Sequence, residues 1–260
     1  MISRYEVTIG GHKLSRVHKD LLILDVSYDP PEIGYTIATV AMRDGVTVTR
    51  QYKGKVTCTV TFELHIYGIE ERQTALQDVM TWAQGSGALR TNDRPEQRLE
   101  NFVIESYPSI SSVRNWTDPL TITFAAYNWP YWVDEEETTL KVSGKTGKGT
   151  LKVPGNAGMN GNTLVEVDVT ANAALSKITL TVGSTSIALE EISVPKNGVI
   201  KIAYNSQKVL SIKYGSKSLL ANRTAKSSDD LLAACGKSTN VSISASASVS
   251  AVFRARGCWH

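Results

Sequence analysis

Residues Lys55–Tyr67 read KVTCTVTFELHIY, in which Val56, Cys58, Val60, Phe62, Leu64 and Ile66 alternate with Thr, Glu and His. Successive side chains of a β-strand point to opposite faces, so this period of two predicts a strand with one apolar and one polar face. Directly after it the period changes. Across Glu70–Gln84, Leu76, Val79, Met80 and Ala83 fall at i, i+3, i+4 and i+7, and Glu70 and Glu71 occupy the first turn, where aligned peptide dipoles favour negative charge. That spacing predicts an amphipathic helix, stopped by Gly85-Ser-Gly87. A strand with a buried face, followed at once by a helix with an apolar stripe, sets the class of the first half: β structure with one helix packed on it.

Strand patterns surround this pair. Tyr5–Ile9 precedes the Gly10-Gly11 turn, and Leu21–Leu24 leads to a hard stop at Asp29-Pro30-Pro31, because proline donates no ladder hydrogen bond. Asn101–Tyr107 and Leu120–Tyr127 read as further strands. The sharpest shift in composition follows, from Asn128-Trp-Pro-Tyr-Trp132 through Asp134-Glu-Glu-Glu137 to the Gly- and Lys-rich stretch Ser143–Gly149. It places a ring of expected boundaries: a first domain at 1–135, a solvated acidic and then Gly/Lys-rich linker at 136–150, and a second domain at 151–260.

The second domain reads as an all-β sandwich, with short strand runs separated by turns at Leu164–Val169, Ile178–Val182, Ile187–Val194, Val199–Tyr204, Val209–Tyr214 and Val241–Phe253. In the last run Ile243, Ala245, Ala247, Val249, Ala251 and Phe253 alternate with serines for most of its length. Ser227–Cys235 interrupts the pattern, and its Ser-Asp start before Leu231-Leu232-Ala-Ala suggests a short capped helical turn.

The chain of 260 residues carries 28 Lys and Arg against 25 Asp and Glu, and the cations are scattered singly. It lacks the basic stripe of a specific nucleic-acid binder. No run approaches the roughly 18 apolar residues of a membrane span, and no secretory leader is visible, so synthesis in the cytoplasm is expected. Three cysteines, Cys58, Cys235 and Cys258, without C-x-x-C spacing argue for buried free thiols, although Cys235 and Cys258 share a region and could meet in space.

Catalysis needs a nucleophile with its base, paired carboxylates in a cleft, or a metal cluster. The four histidines, His12, His18, His65 and His260, have no metal-binding spacing. Gly144-Lys-Thr-Gly-Lys-Gly149 fails the order of a phosphate-binding loop, and Asp229-Asp230 and Glu190-Glu191 are adjacent residues that a strand would point apart. No catalytic, cofactor or metal site is assigned, and the chain reads as a non-enzyme. The large side chains Trp116, Phe124, Trp129, Pro130, Tyr131 and Trp132 are candidates for a domain-junction or subunit contact, with core packing as the plainer reading. Val56, Val60, Phe62 and Leu64 mark a candidate intersubunit strand.

The order of these pieces resembles the phage distal tail (Dit) family. The likeness is carried by the strand ending at Ile66, the helix with Asp78-Val-Met-Thr-Trp82, Gln97-Arg-Leu-Glu-Asn-Phe102, Trp116-Thr-Asp-Pro-Leu-Thr-Ile-Thr-Phe124 and Trp129-Pro-Tyr-Trp132. In the second half it is carried by Gly183, Val209–Gly215, Ser227-Ser-Asp-Asp-Leu-Leu232, Cys235-Gly236 and Phe253-Arg-Ala-Arg-Gly257 with Trp259. The resemblance implies a split-barrel-like N-terminal domain whose six copies form a ring, and a galectin-like or carbohydrate-module-like C-terminal sandwich. It implies a structural hub at the tail tip of a long-tailed phage, assembled in the host cytoplasm and resident in the virion, through which DNA passes unread. Its implied neighbours are the tail tube protein, the tape-measure protein, the tail-tip hub protein and receptor-binding proteins. The alternative is a carbohydrate-binding module or adhesin attaching to host wall glycans, since a fold does not by itself fix a function.

Overall fold

The computed structural model describes residues 4–39, 46–108 and 118–260. The chain divides into two compact units, Met1–Trp132 and Val133–His260. Both are mainly β, and among the described residues there is a single α-helix.

In the first unit β1 (Val7–Ile9) and β2 (His12–Lys13) form the hairpin around Gly10-Gly11, and β3 (Leu21–Asp29) ends at the two prolines. Then come β4 (Ile33–Thr39), β5 (Val46–Lys53) and β6 (Val56–Leu64). The helix α1 (Ile69–Ala83) is followed by β7 (Leu89–Thr91), β8 (Gln97–Leu99), β9 (Phe102–Ser106) and β10 (Leu120–Ala126). One sheet has the order β3-β6-β10-β9, and β2-β1-β7-β8 lie side by side in another.

The strand quoted at the outset is the axis of this unit. β6 pairs antiparallel with β3 on one edge, from Leu21 opposite Leu64 to Asp29 opposite Thr57, and with β10 on the other, from Leu120 opposite Phe62 to Ala126 opposite Val56. Its apolar face is buried, Val60 and Phe62 completely. On its polar face the hydroxyls of Thr59 and Thr123 meet at 3.2 Å and Thr57 donates to Asp29 at 2.8 Å. The helix covers the apolar side with Ala75, Leu76, Val79, Trp82 and Ala83. Trp82 meets Phe124 of β10 edge-on at 6.1 Å and donates its indole N–H to the His12 carbonyl at 2.8 Å.

A three-residue strand, β11 (Trp132–Asp134), spans the point of division. The second unit continues with β12 (Thr138–Lys152), β13 (Asn162–Ala171), β14 (Ile178–Val182), β15 (Thr185–Leu189), β16 (Val199–Tyr204), β17 (Leu210–Tyr214) and β18 (Lys217–Ser218). It closes with β19 (Leu232–Ala234), β20 (Ser238–Ala255) and β21 (Cys258–Trp259). β20 runs beside β12 along almost its whole length. Its other edge serves two sets of strands: Val249–Ala255 pairs with β13, which leads to β16, β17 and β18, and Val241–Ala245 pairs with β14, which leads to β15. Side chains of both sets, with Val249, Ala251 and Phe253, share one buried core, so the unit is a β-sandwich whose layers are joined through β20.

This arrangement corrects the expected linker. Residues 138–152 are a full strand, and the glycines that suggested a linker are what let it bend. The register of β12 against β20 breaks between Gly144 and Thr146, where Gly144 has a φ of +122°. A Cβ on Gly147 would lie 2.6 Å from Val142 Cγ1 and 2.9 Å from the Ser143 carbonyl, so only glycine fits beside the bend. The acidic run is likewise held rather than merely solvated. Arg256 donates to the carbonyls of Asp134, at 3.0 Å, and Glu135, and to the Glu137 carboxylate at 3.1 Å. Arg254 pairs with Asp168 at 2.9 Å. Ser227–Cys235 forms no helical turn: Leu232–Ala234 is a strand paired with Asn162–Leu164 of β13, and this pairing overrides the local helix preference.

Truncation of a side chain in the sandwich core leaves a cavity as well as losing burial. Phe253→Ala is expected to destabilise the second unit by about 3–5 kcal/mol in urea denaturation. Ser244→Ala, on the exposed face of the same strand, is expected to change stability by less than about 0.5 kcal/mol.

Candidate functional site

Most of the large side chains singled out in the sequence are inside the protein. Phe124, Trp129, Pro130, Tyr131 and Trp132 are all buried; Trp116 lies outside the described residues. Phe124 packs edge-on against Phe102 at 5.3 Å as well as against Trp82, and Trp129 meets Tyr131 at 5.3 Å. Trp132 sits edge-on to Tyr28 at 5.2 Å, and the Arg94 guanidinium lies over both rings, 4.6 Å from Tyr28 and 5.2 Å from Trp132. The Tyr28 hydroxyl donates to Asp93 at 2.5 Å and accepts from Thr91 at 2.8 Å. Burial, with the Asp93 hydrogen bond second, holds the Tyr28 phenol well above its usual pKa. Phe124, Trp129, Tyr131 and Trp132 are thus packed within the chain.

The candidate intersubunit strand is also corrected. Val56, Val60, Phe62 and Leu64 are at most 1% exposed, and both edges of β6 are already paired within the chain, so neither its face nor its edges remain for a neighbour.

Besides scattered exposed side chains such as Tyr67, Ile69 and Val103, the first unit carries a row of exposed apolar residues on β4 and β5. These two strands pair only with each other among the described residues. Along β4, Ile33, Tyr35 and Ile37 fall on one face, and Val48 of β5 stands opposite Ile37; these four are 53–59% exposed. Thr36 and Ala38, on the other face of β4, are exposed as well. The hairpin is an arm that continues the β3–β6 ladder. Asp29 stands opposite Thr57 and Ile33 opposite Lys53, four residues along each strand, so the register passes through Pro30-Pro31 and Gly54 unchanged. Its base is tied down: Pro31 is buried, the Gly54 amide donates to the Glu32 carbonyl at 2.7 Å, and the Lys53 ammonium lies 5.1 Å from the Tyr131 ring.

Two ionic features flank this core. Lys55, between β5 and β6, pairs with Glu105 of β9, and Tyr127 donates to the same carboxylate at 3.2 Å. That shared hydrogen bond raises the Lys55 pKa and lowers that of Glu105. Arg72 is buried on α1, and burial lowers its pKa against the opposing field of Asp118.

Three ring side chains of the second unit that could stack on a sugar are engaged internally. Tyr204 accepts the Leu231 amide at 2.9 Å, Tyr214 packs against the core, and Trp259 donates to Asp134 at 2.6 Å. Of the histidines, His65 lies 3.0 Å from Glu63 and His18 3.9 Å from Asp20. Among the described residues no group of three His, Cys, Asp or Glu is placed to hold a metal ion, and no helix is long and apolar enough to cross a membrane.

A solved structure matches this arrangement over nearly all of its length: the Dit protein (gp 19.1) of phage SPP1, named as a paradigm of the hub adsorption apparatus in phages infecting Gram-positive bacteria. The match covers 97% of this chain and 98% of that one, with a TM-score of 0.66 and 14% identity. The chain has the fold of the SPP1 Dit protein. A chain of the phage P2 baseplate in its activated conformation with Ca also aligns over 97% of both chains, with a TM-score of 0.45 and 8% identity. No protein-family model matches the sequence, and no curated protein matches it. The fold is thus shared although few residues are identical.

The buried Tyr28 gives a pH signature. Its raised pKa means that the folded state keeps this proton at alkaline pH after the unfolded state has lost it. Stability is full below about pH 10, the ordinary tyrosine value, and falls as pH rises beyond it. Tyr28→Phe is expected to flatten part of that alkaline loss, read from melting temperatures across the pH range.

Proposed function

We propose that this chain is a distal tail hub protein of a long-tailed phage, a structural and non-catalytic component of the tail tip. The observation that carries the reading is the Dit fold along the whole chain, with an exposed apolar arm on its first unit. A two-stranded hairpin is marginal in water by itself, and a sheet edge is a template for pairing with another chain. A second copy of the chain answers both needs, covering Ile33, Tyr35, Ile37 and Val48 and extending the ladder by strand addition. Because the arm and the surface it meets on the next copy are different, the contact is heterologous, and repetition closes a ring. Six copies, with the tail tube on one side and the tail-tip hub protein on the other, make a conduit through which the tape-measure protein and then DNA pass. The small net charge of +3 suits a passage that does not grip its cargo by counterion release.

On this reading the first unit builds the ring, and the galectin-like second unit is an outward platform for receptor-binding proteins. Assembly takes place in the host cytoplasm and the protein resides in the virion.

Negative-stain microscopy of the concentrated protein tests the reading. The expected particle is a six-fold ring whose hole passes the ~20 Å DNA duplex. Ile37→Glu and Tyr35→Glu are expected to weaken self-association by about 100-fold in light scattering, since each would bury a carboxylate at the contact, with the melting temperature of the monomer unchanged. Rings of undiminished stability from both variants would remove the arm from the interface.

A further inference from the structure

Cys235 and Cys258 come from separate segments of the second unit that meet a common third segment. Val153 forms a parallel bridge with Cys235, and Gly155 forms one with Cys258. The Gly236 amide donates to the Val153 carbonyl at 2.8 Å, and the Cys258 carbonyl accepts from Asn156 and Ala157 at 3.0 Å each. The backbones approach more closely than side chains allow. A Cβ on Gly155 would lie 2.5 Å from the Cys258 carbonyl oxygen, and one on Gly236 would lie 2.7 Å from the Gly155 carbonyl oxygen. This packing brings the cysteines together, with the Cys235 sulfur within hydrogen-bonding reach of the Cys258 thiol and amide, while the Cys258 thiol also reaches the Thr163 hydroxyl at 3.4 Å. Cys58, by contrast, belongs to β6 and is buried in the core of the first unit.

We propose that Cys235 and Cys258 are a redox-responsive pair, free thiols in a reducing compartment that close to a disulfide when a small-molecule disulfide such as oxidised glutathione reaches them. Cys235, 9% exposed against 0% for Cys258, is the entry point. The Cys258 thiol hydrogen bond lowers its pKa and so favours the thiolate, the attacking species. That thiolate attacks one sulfur of oxidised glutathione, forming a mixed disulfide and expelling a glutathione thiolate, which takes up the Cys258 proton. The Cys258 thiolate then attacks the Cys235 sulfur, breaks the mixed disulfide and expels the second glutathione. Two protein thiols are oxidised and one glutathione disulfide is reduced to two thiols. The bond closes a loop that contains all of β20, tying the last strand to the turn after β19. The pair operates whether or not the chain forms rings, so its failure and that of the hub reading are separable.

The test uses the full chain in native buffer with excess oxidised glutathione, followed by alkylation and peptide mapping. The expected product is a Cys235–Cys258 cross-link with Cys58 alkylated, and a melting temperature raised by about 5 °C or more that falls back on reduction. Cys258→Ser, which keeps a hydrogen-bond donor beside Cys235, is expected to trap glutathione on Cys235, whereas Cys235→Ser leaves Cys258 unmodified. Absence of the cross-link in the native chain, or no adduct on Cys235 in Cys258→Ser, would overturn the proposal.

Discussion

Strand β6 is hydrogen-bonded along both edges, and the first unit is organised by that double pairing. A strand held on both sides can present nothing but its two faces, so a sequence alternating every second residue must bury one of them. The helix supplies the cover, and Phe124 of β10 supplies the surface for Trp82 to meet. A slip of one residue would turn Val60 and Phe62 outward and Thr59 and Thr61 inward. Here the register is fixed by two neighbours at once. β20 repeats the solution in the second unit, with β12 on one edge and β13 and β14 sharing the other.

Elements whose cover comes from the same unit were legible in the sequence. The period of two in Lys55–Tyr67, the helical spacing of Leu76, Val79, Met80 and Ala83, and the serine alternation of β20 each led to the right element, because local pattern and tertiary burial agree there. Where the reading failed, one of two physical facts was hidden. In Ser143–Gly149 the glycines were read as a linker, whereas they answer a steric demand at the register break of β12. In Leu231–Ala234 the helix-forming residues were overruled by pairing with β13, a contact about 70 residues away along the chain that no local rule registers.

The candidate contacts failed differently. Large aromatic rings near a domain end mark a place where much apolar surface must go, but composition does not say whether the recipient is the chain itself or a neighbour. Trp129, Tyr131 and Trp132 go inward. Ile33, Tyr35, Ile37 and Val48 had the same kind of signal, simple alternation, and nothing among the described residues of the chain covers them. Alternation reports that a strand has an apolar face. It is silent on who buries it.

The unbroken register between the arm and the β3–β6 ladder has a mechanical meaning. Because Ile33 opposite Lys53 continues the phase of Asp29 opposite Thr57, a pull along the arm runs parallel to β3 and β6 rather than across them. Since both strands are drawn the same way, the load falls in shear on the ladder between β6 and β10, where the hydrogen bonds resist together instead of being peeled apart singly as in a zipper. The arm is thus rooted in the most securely held strand of its unit, and strain arriving at its tip is shared with the core before any single bond must yield.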